Sequence, residues 1–261
     1  MDHVNKTLYI PLYGKSYVSK RGLFLRDERA EEIWAAEGFR LKGKSASKWL
    51  AFYMGIRAAV FDEWVRKQLA AEPDAVVVQI GCGLDSRCQR VEYGGHRWYD
   101  VDFPAVIDER QRYFTGSDDY RMISGDARES GWLEQIPETG TAIVVMEGVS
   151  MYLSPDALRS LMKNLSGHFR QVCCLMDCYT CLAARLSRYK NPINDVGVTE
   201  VYGMDAPSVL EGEGLSFVQE HEMTPARYVN ELAGAERLIF EKLYAGSFSR
   251  KLYRLYEFRK N

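Results

Sequence analysis

Four polar features of this sequence each stand at or just past the end of an apolar run: Gly81-Cys82-Gly83, Asp102, Asp126 and Glu147. Glycines at a strand end let the backbone turn tightly and approach a ligand with no Cβ in the way. Asp102 stands nineteen residues after Gly83, the separation at which a carboxylate can accept hydrogen bonds from a ribose diol. Within Ser124-Gly125-Asp126-Ala127-Arg128, Asp126 offers an acceptor to an adenine amino group, and the next backbone amide, that of Ala127, a donor to a ring nitrogen. Glu147, between Met146 and Gly148, presents a negative charge that attracts an α-ammonium or a sulfonium. A dinucleotide fingerprint would read G-x-G-x-x-G, but the sixth position is Ser86. The missing third glycine argues against NAD or FAD, whose pyrophosphate rests on a helix N-terminus. A sulfonium nucleoside has no pyrophosphate and tolerates Asp85 near the loop. The plain alternative, a structural turn beside a surface carboxylate, stays open on these residues alone.

Positioning such groups takes a sheet. Ala75 to Ile80 is a valine-rich, nearly unbroken apolar run, as expected for a strand covered on both faces. Similar runs cover Arg97 to Val101, Tyr120 to Ile123, Ala142 to Met146 and Val172 to Met176, with helical segments predicted at Pro104 to Phe114 and Pro155 to Phe169. From Trp49 to Ala71 the residues Ala51, Met54, Ala58, Phe61, Trp64, Val65 and Leu69 recur at helical spacing, and Pro73 with Asp74 ends the pattern. The alternation predicts a doubly wound α/β fold with a mostly parallel, seven-stranded, Rossmann-like sheet. Leu215 to Glu220 and Leu252 to Phe258 read as an antiparallel edge, with Ala226 to Ala245 helical between them. One domain is expected, divided into an N-terminal helical cap (1–50), a cofactor-binding core (51–177), a lid (178–204) and a C-terminal part (205–261) that encloses the acceptor. The charged stretch Arg26 to Glu32 looks helical, and the lid reading rests on Pro192, Gly197 and Gly203.

A formal charge of −2 with scattered lysines and arginines gives no basic surface for nucleic acid. No run approaches the roughly 20 apolar residues that cross a bilayer, and Leu8 to Tyr13 is too short for a signal-peptide core. A cytoplasmic protein is expected. Its six cysteines sit mostly in apolar runs and read as reduced, small hydrophobes. Cys178-x-x-Cys181, beside Cys173 and Cys174, has finger-like spacing but no second pair, so no metal site is expected.

Longer strings add a resemblance. Val77-Val78-Gln79-Ile80-Gly81-Cys82-Gly83-Leu84-Asp85-Ser86-Arg87, Trp98-Tyr99-Asp100-Val101-Asp102-Phe103-Pro104 and Met146-Glu147-Gly148-Val149-Ser150-Met151-Tyr152-Leu153 resemble the leucine carboxyl methyltransferase family, and within it the bacterial branch of tetracenomycin polyketide O-methyltransferases. Leu8-Tyr9-Ile10-Pro11-Leu12-Tyr13-Gly14, Leu25-Arg26-Asp27-Glu28-Arg29-Ala30 and the Arg57 helix ending in Phe61-Asp62-Glu63-Trp64 extend the similarity over most of residues 7 to 165. The resemblance implies a class I methyltransferase that uses S-adenosyl-L-methionine and releases S-adenosyl-L-homocysteine. It implies Arg57 for the cofactor carboxylate, Gly81 for the methionine portion, Asp102 for the ribose, Asp126 for adenine and Glu147 near the amino group. Cys82 replaces the alanine frequent in relatives, a small change that keeps the turn.

Methyl transfer from a sulfonium is an in-line displacement that needs the acceptor oxygen held about 3 Å from the methyl carbon. A carboxylate acceptor, as the family implies, is already ionised near pH 7 and needs no base. Candidates to orient a small-molecule acceptor are Tyr152, Tyr179 and His221, with His221 the choice if a phenol must be deprotonated. Arg21, Arg185, Arg188, Tyr17, Tyr202 and His168 rank behind them, each more often solvated or packed, and the resemblance implies that Tyr17 and Lys20, in a segment that relatives fold toward the cofactor, could contact it. A protein C-terminal carboxylate as acceptor, a non-catalytic scaffold that binds the cofactor, and an NAD dehydrogenase are the other readings.

Overall fold

A computed structural model describes residues 8–38, 41, 43–138, 140–187, 201–212 and 214–260. Three helices come first: α1 (Tyr9–Lys20), α2 (Glu28–Glu37) and α3 (Lys48–Ala71). Asp27 caps α2 by accepting a hydrogen bond from the Ala30 amide at 2.8 Å, and Ser47 caps α3. The α/β alternation follows as β1 (Val76–Ile80), α4 (Arg87–Arg90), β2 (Arg97–Asp102), α5 (Pro104–Arg110), β3 (Tyr120–Ser124), β4 (Thr141–Met146), α6 (Pro155–His168) and β5 (Gln171–Tyr179). The rest is α7 (Cys181–Ser187), β6 (Ser216–Glu220), α8 (Ala226–Val229), α9 (Gly234–Leu243), α10 (Gly246–Arg250) and β7 (Tyr253–Lys260).

Among the described residues the strands join one seven-stranded sheet in the order β3-β2-β1-β4-β5-β7-β6. The first five are mutually parallel, and β7 runs antiparallel to both β5 and β6. Alternate side chains of each inner strand feed opposite cores. Val77, Val145 and Leu175 pack with Phe52, Ile56 and Phe61 of α3, whereas Val76, Val144 and Val172 pack with Leu158, Leu161 and Leu165 of α6. The doubly wound expectation is met, including the antiparallel edge.

Two local expectations are corrected, and a third, the lid, lies partly outside the described residues. Residues 226–245 are not one helix: the chain breaks between Val229 and Gly234, where Gly234 has φ +54°, and breaks again before Gly246 at φ +65°. The helix from Pro104 stops at Arg110, short of Phe114. The segment read as a lid begins inside β5, which runs on to Tyr179, and continues as α7; residues 188–200 lie outside the described part.

Helix α1 belongs to the helical cap expected at the N-terminus, although the sequence pattern places no helix at these particular residues. Pro11 sits in the first turn, where backbone N–H groups have no intrahelical acceptor to lose. It lies close along α3 because glycines open the contact: a Cβ on Gly14 would fall 2.6 Å from the Met54 Cβ, and one on Gly55 would fall 2.7 Å from Val18.

Candidate active site

Between β1 and β4 the strand order reverses, and a crevice forms beyond the carboxyl ends of such strands. Here it has a volume of about 540 Å³, and its lining includes Arg57, the Gly81 to Gly83 loop, Asp102, Asp126, Ala127 and Glu147. All the residues assigned to the cofactor thus converge on one cavity. Gly81 turns at φ +68°, and its amide donates to the Val101 carbonyl at 2.7 Å. A Cβ at Gly81 would lie 2.2 Å from Val149 Cγ2. Cys82 is buried, which pushes its thiol well up and leaves it a packing group.

Asp102 holds the loop from the neighbouring strand: its Oδ2 accepts from the Gly83 amide and its Oδ1 from the Phe103 amide, both at 2.8 Å. Burial pushes its carboxyl up against the pull of those two amides. Asp126 is turned onto Arg128, whose Nε lies 2.9 Å from each carboxylate oxygen, and that bond lowers its pKa. The Arg128 side chain itself is largely exposed.

Beneath the crevice lies an ionic cluster that sequence spacing did not reveal. Glu147 accepts from Arg57 Nε at 3.0 Å and from Arg87. Asp85 meets Lys15 at 2.9 Å, Arg90 at 2.9 Å and Arg87 at 3.0 Å, while Asp62 accepts from Arg87 and Arg90. Arg57 also reaches Asp177, and Arg90 reaches Asp27. With every group ionised, Lys15, Arg57, Arg87 and Arg90 face Asp27, Asp62, Asp85, Glu147 and Asp177, which leaves one excess negative charge for a bound cation.

Tyr152 and Tyr179 line the crevice, as does Tyr253, whose ring packs edge-on to Tyr179 at 5.0 Å. His221 does not line it. Its Nε2 lies 2.6 Å from Glu257, whose neighbour across the sheet is Leu175, well back from the strand tips. The expectation of an acceptor-orienting imidazole there is withdrawn. His168 is spent on the Ile136 carbonyl at 2.9 Å, and Arg21 on Tyr17 and Glu236. Tyr17, Lys20, Arg185 and Tyr202 are likewise absent from the lining, and Arg188 lies outside the described residues. Sequence reasoning missed Lys15, Asp177 and Tyr253. Lys15 carried a faint signal, a lysine one turn after Pro11, and the other two carried none.

Compared with known proteins, the model of the family described as leucine carboxyl methyltransferase matches residues 8–166. The chain belongs to that family. It is therefore an S-adenosylmethionine-dependent methyltransferase. The tetracenomycin polyketide synthesis O-methyltransferase of Streptomyces glaucescens is 31% identical over 186 residues, which cover 70% of this chain and 69% of that one. An S-adenosyl-L-methionine-dependent methyltransferase of Gibberella zeae is 27% identical, covering 64% of this chain and 61% of its own length. Among solved structures, the magnesium protoporphyrin IX methyltransferase of Synechocystis with bound S-adenosylhomocysteine shares the fold at a TM-score of 0.53 and 14% identity, over 90% of this chain and 93% of that one.

Two features of this family member suit the cofactor. Arg57 has given Nε to Glu147 and Nη1 to Asp177 and Tyr253, and Nη2 has no hydrogen-bond partner among the described residues. Gly81, at φ +68° and with Val149 leaving no room for a Cβ, brings bare backbone to the crevice wall. Exchanging Asp102 for alanine tests the ribose assignment: affinity for S-adenosylhomocysteine should fall by about 1–3 kcal/mol in isothermal titration. Unchanged affinity would refute the role.

Proposed function

We propose that this methyltransferase transfers a methyl group to an oxygen of a small-molecule acceptor, and that the acceptor is a carboxylate converted to its methyl ester. The polyketide setting named for the Streptomyces glaucescens relative makes a polyketide-like acid our expected acceptor. One observation carries the carboxylate reading: among the described residues no imidazole lines the crevice, and its four acids are engaged. His96, His168 and His221 are each bonded elsewhere, and Asp85, Asp102, Asp126 and Glu147 hold arginines, Lys15 or backbone amides. A hydroxyl acceptor needs a base to take its proton; a carboxylate arrives without one.

Bound S-adenosylmethionine supplies an electrophilic methyl group on a sulfonium. The residues of this chain hold and orient. Arg57 would meet the cofactor carboxylate, Glu147 the ammonium, Asp102 the ribose, and Asp126 with the Ala127 amide the adenine. Tyr152 would orient the acceptor. Its hydroxyl has no protein hydrogen bond among the described residues, and burial beside Tyr179 pushes its phenol up, so it stays an O–H donor. The six free thiols suit a reducing compartment, and we read the protein as cytoplasmic.

The test is incubation with methyl-labelled cofactor and a small-molecule extract. Label released as methanol by alkali supports an ester; label that resists alkali identifies an ether and sinks the carboxylate reading. Label confined to macromolecules would identify a protein acceptor. Tyr152→Phe should lower kcat/KM roughly tenfold or more, the value of a hydrogen bond to a charged group, while S-adenosylhomocysteine affinity stays put. A change in that affinity would count against the role.

A further inference from the structure

We infer that Asp177, assisted by Tyr253, is a positioning residue that aims the Arg57 guanidinium at the cofactor. The inference rests on Arg57 receiving the amino-acid end of S-adenosylmethionine.

Asp177 lies in the apolar strand β5 and is fully buried. An acid in such a place costs free energy that a well-packed apolar side chain would not, so stability alone is a poor reason for it. Its bonds show what it does. Asp177 Oδ2 accepts from Arg57 Nη1 at 2.9 Å and from the Tyr253 hydroxyl at 2.8 Å, and that hydroxyl in turn accepts from Arg57 Nη1 at 2.8 Å. The other oxygen, Oδ1, accepts from the Gly148 amide at 2.7 Å, directly after Glu147. One carboxylate therefore joins α3, the loop after β4 and the strand β7.

The consequence falls on Arg57. An arginine side chain has several rotatable bonds, and a fork fixed at two nitrogens can point its third in one direction only. Glu147 fixes Nε, and Asp177 with Tyr253 fixes Nη1. Nη2 is left beside Gly148, where a Cβ would stand 3.3 Å away; Gly148, at φ +75°, keeps that approach clear. Both Arg57 and Gly148 line the crevice.

The experiment compares two ligands by calorimetry. S-adenosylhomocysteine carries the amino-acid end, and 5′-methylthioadenosine lacks it. Asp177→Asn keeps the volume and removes the charge. It should weaken S-adenosylhomocysteine about tenfold and leave methylthioadenosine within about twofold, with Tyr253→Phe acting in the same direction by a smaller factor. In an Arg57→Gln background, Asp177→Asn should add nothing, because coupled residues are not additive. Equal weakening of both ligands, an unchanged S-adenosylhomocysteine affinity, or additive losses with Arg57→Gln would each overturn the proposal. If wild-type protein binds no S-adenosylhomocysteine, the cofactor assignment fails instead, whatever the variants do.

Discussion

Glu147→Ala is expected to lower Tm by roughly 10 °C and to remove measurable S-adenosylhomocysteine binding. Glu147 sits between Arg57 and Arg87, both buried. Removing one partner of a buried ion pair costs about 3–5 kcal/mol, because the charge left behind can no longer recruit water. Asp62 and Asp85 still hold Arg87, and Asp177 still holds Arg57, so the protein should fold. The ammonium of the cofactor would lose its counter-charge at the same step.

Glu147→Gln separates the two losses, since it keeps shape and one acceptor oxygen, discards the charge and sets its NH2 against one of the two guanidiniums; it should recover part of the stability and little of the binding. The pH dependence gives a further check. Burial opposes the charge of Glu147, but the guanidiniums of Arg87 and Arg57 outweigh it and hold the carboxyl below its ordinary range. A depressed folded pKa contributes stability above the ordinary carboxylate range and loses it as pH falls toward the folded value. Wild-type protein should therefore lose more stability than Glu147→Gln on acidification through that window, followed by thermal melts. Parallel losses would place the stabilising role elsewhere.

Gly81→Ala should reduce cofactor affinity by roughly 100-fold or more, through overpacking and a strained backbone. The φ of +68° disfavours any Cβ, and this one would collide with Val149 at 2.2 Å. Relief requires the loop to move, and the loop forms the crevice wall. Gly83→Ala is the control. It has φ +50°, but its Cβ would meet Leu8 at an ordinary 3.6 Å, so only strain is paid and the loss should be several-fold smaller. Equal losses at the two glycines would mean that strain, and not the Val149 contact, dominates.

The sheet was legible because strands covered on both faces must be apolar throughout, and Val76 to Ile80 or Thr141 to Met146 can hardly be anything else. Gly81, Asp102, Asp126 and Glu147 were legible for a related reason: parallel strands put their carboxyl tips together, so polar residues at successive tips must meet. Arg57 could be assigned only by resemblance, since a helix fixes spacing but not which arginine faces the sheet. Asp177 was hidden within a run of apolar neighbours in β5. Tyr253 was hidden by distance along the chain, its hydroxyl meeting Asp177 76 residues earlier. His221 misled because a histidine near a strand looks free until Glu257 appears opposite it.

The position of β7 also bears on how the molecule is made. It pairs with β5 on one side and β6 on the other, although it follows both in sequence. Until β7 leaves the ribosome, β5 presents a bare apolar edge, the kind of template on which nascent chains stick together. Pairing across so long an interval closes slowly. The crevice, which borrows Tyr253 from β7, would be finished late in synthesis, so truncated translation products should neither bind the nucleoside nor stay dispersed without a chaperone.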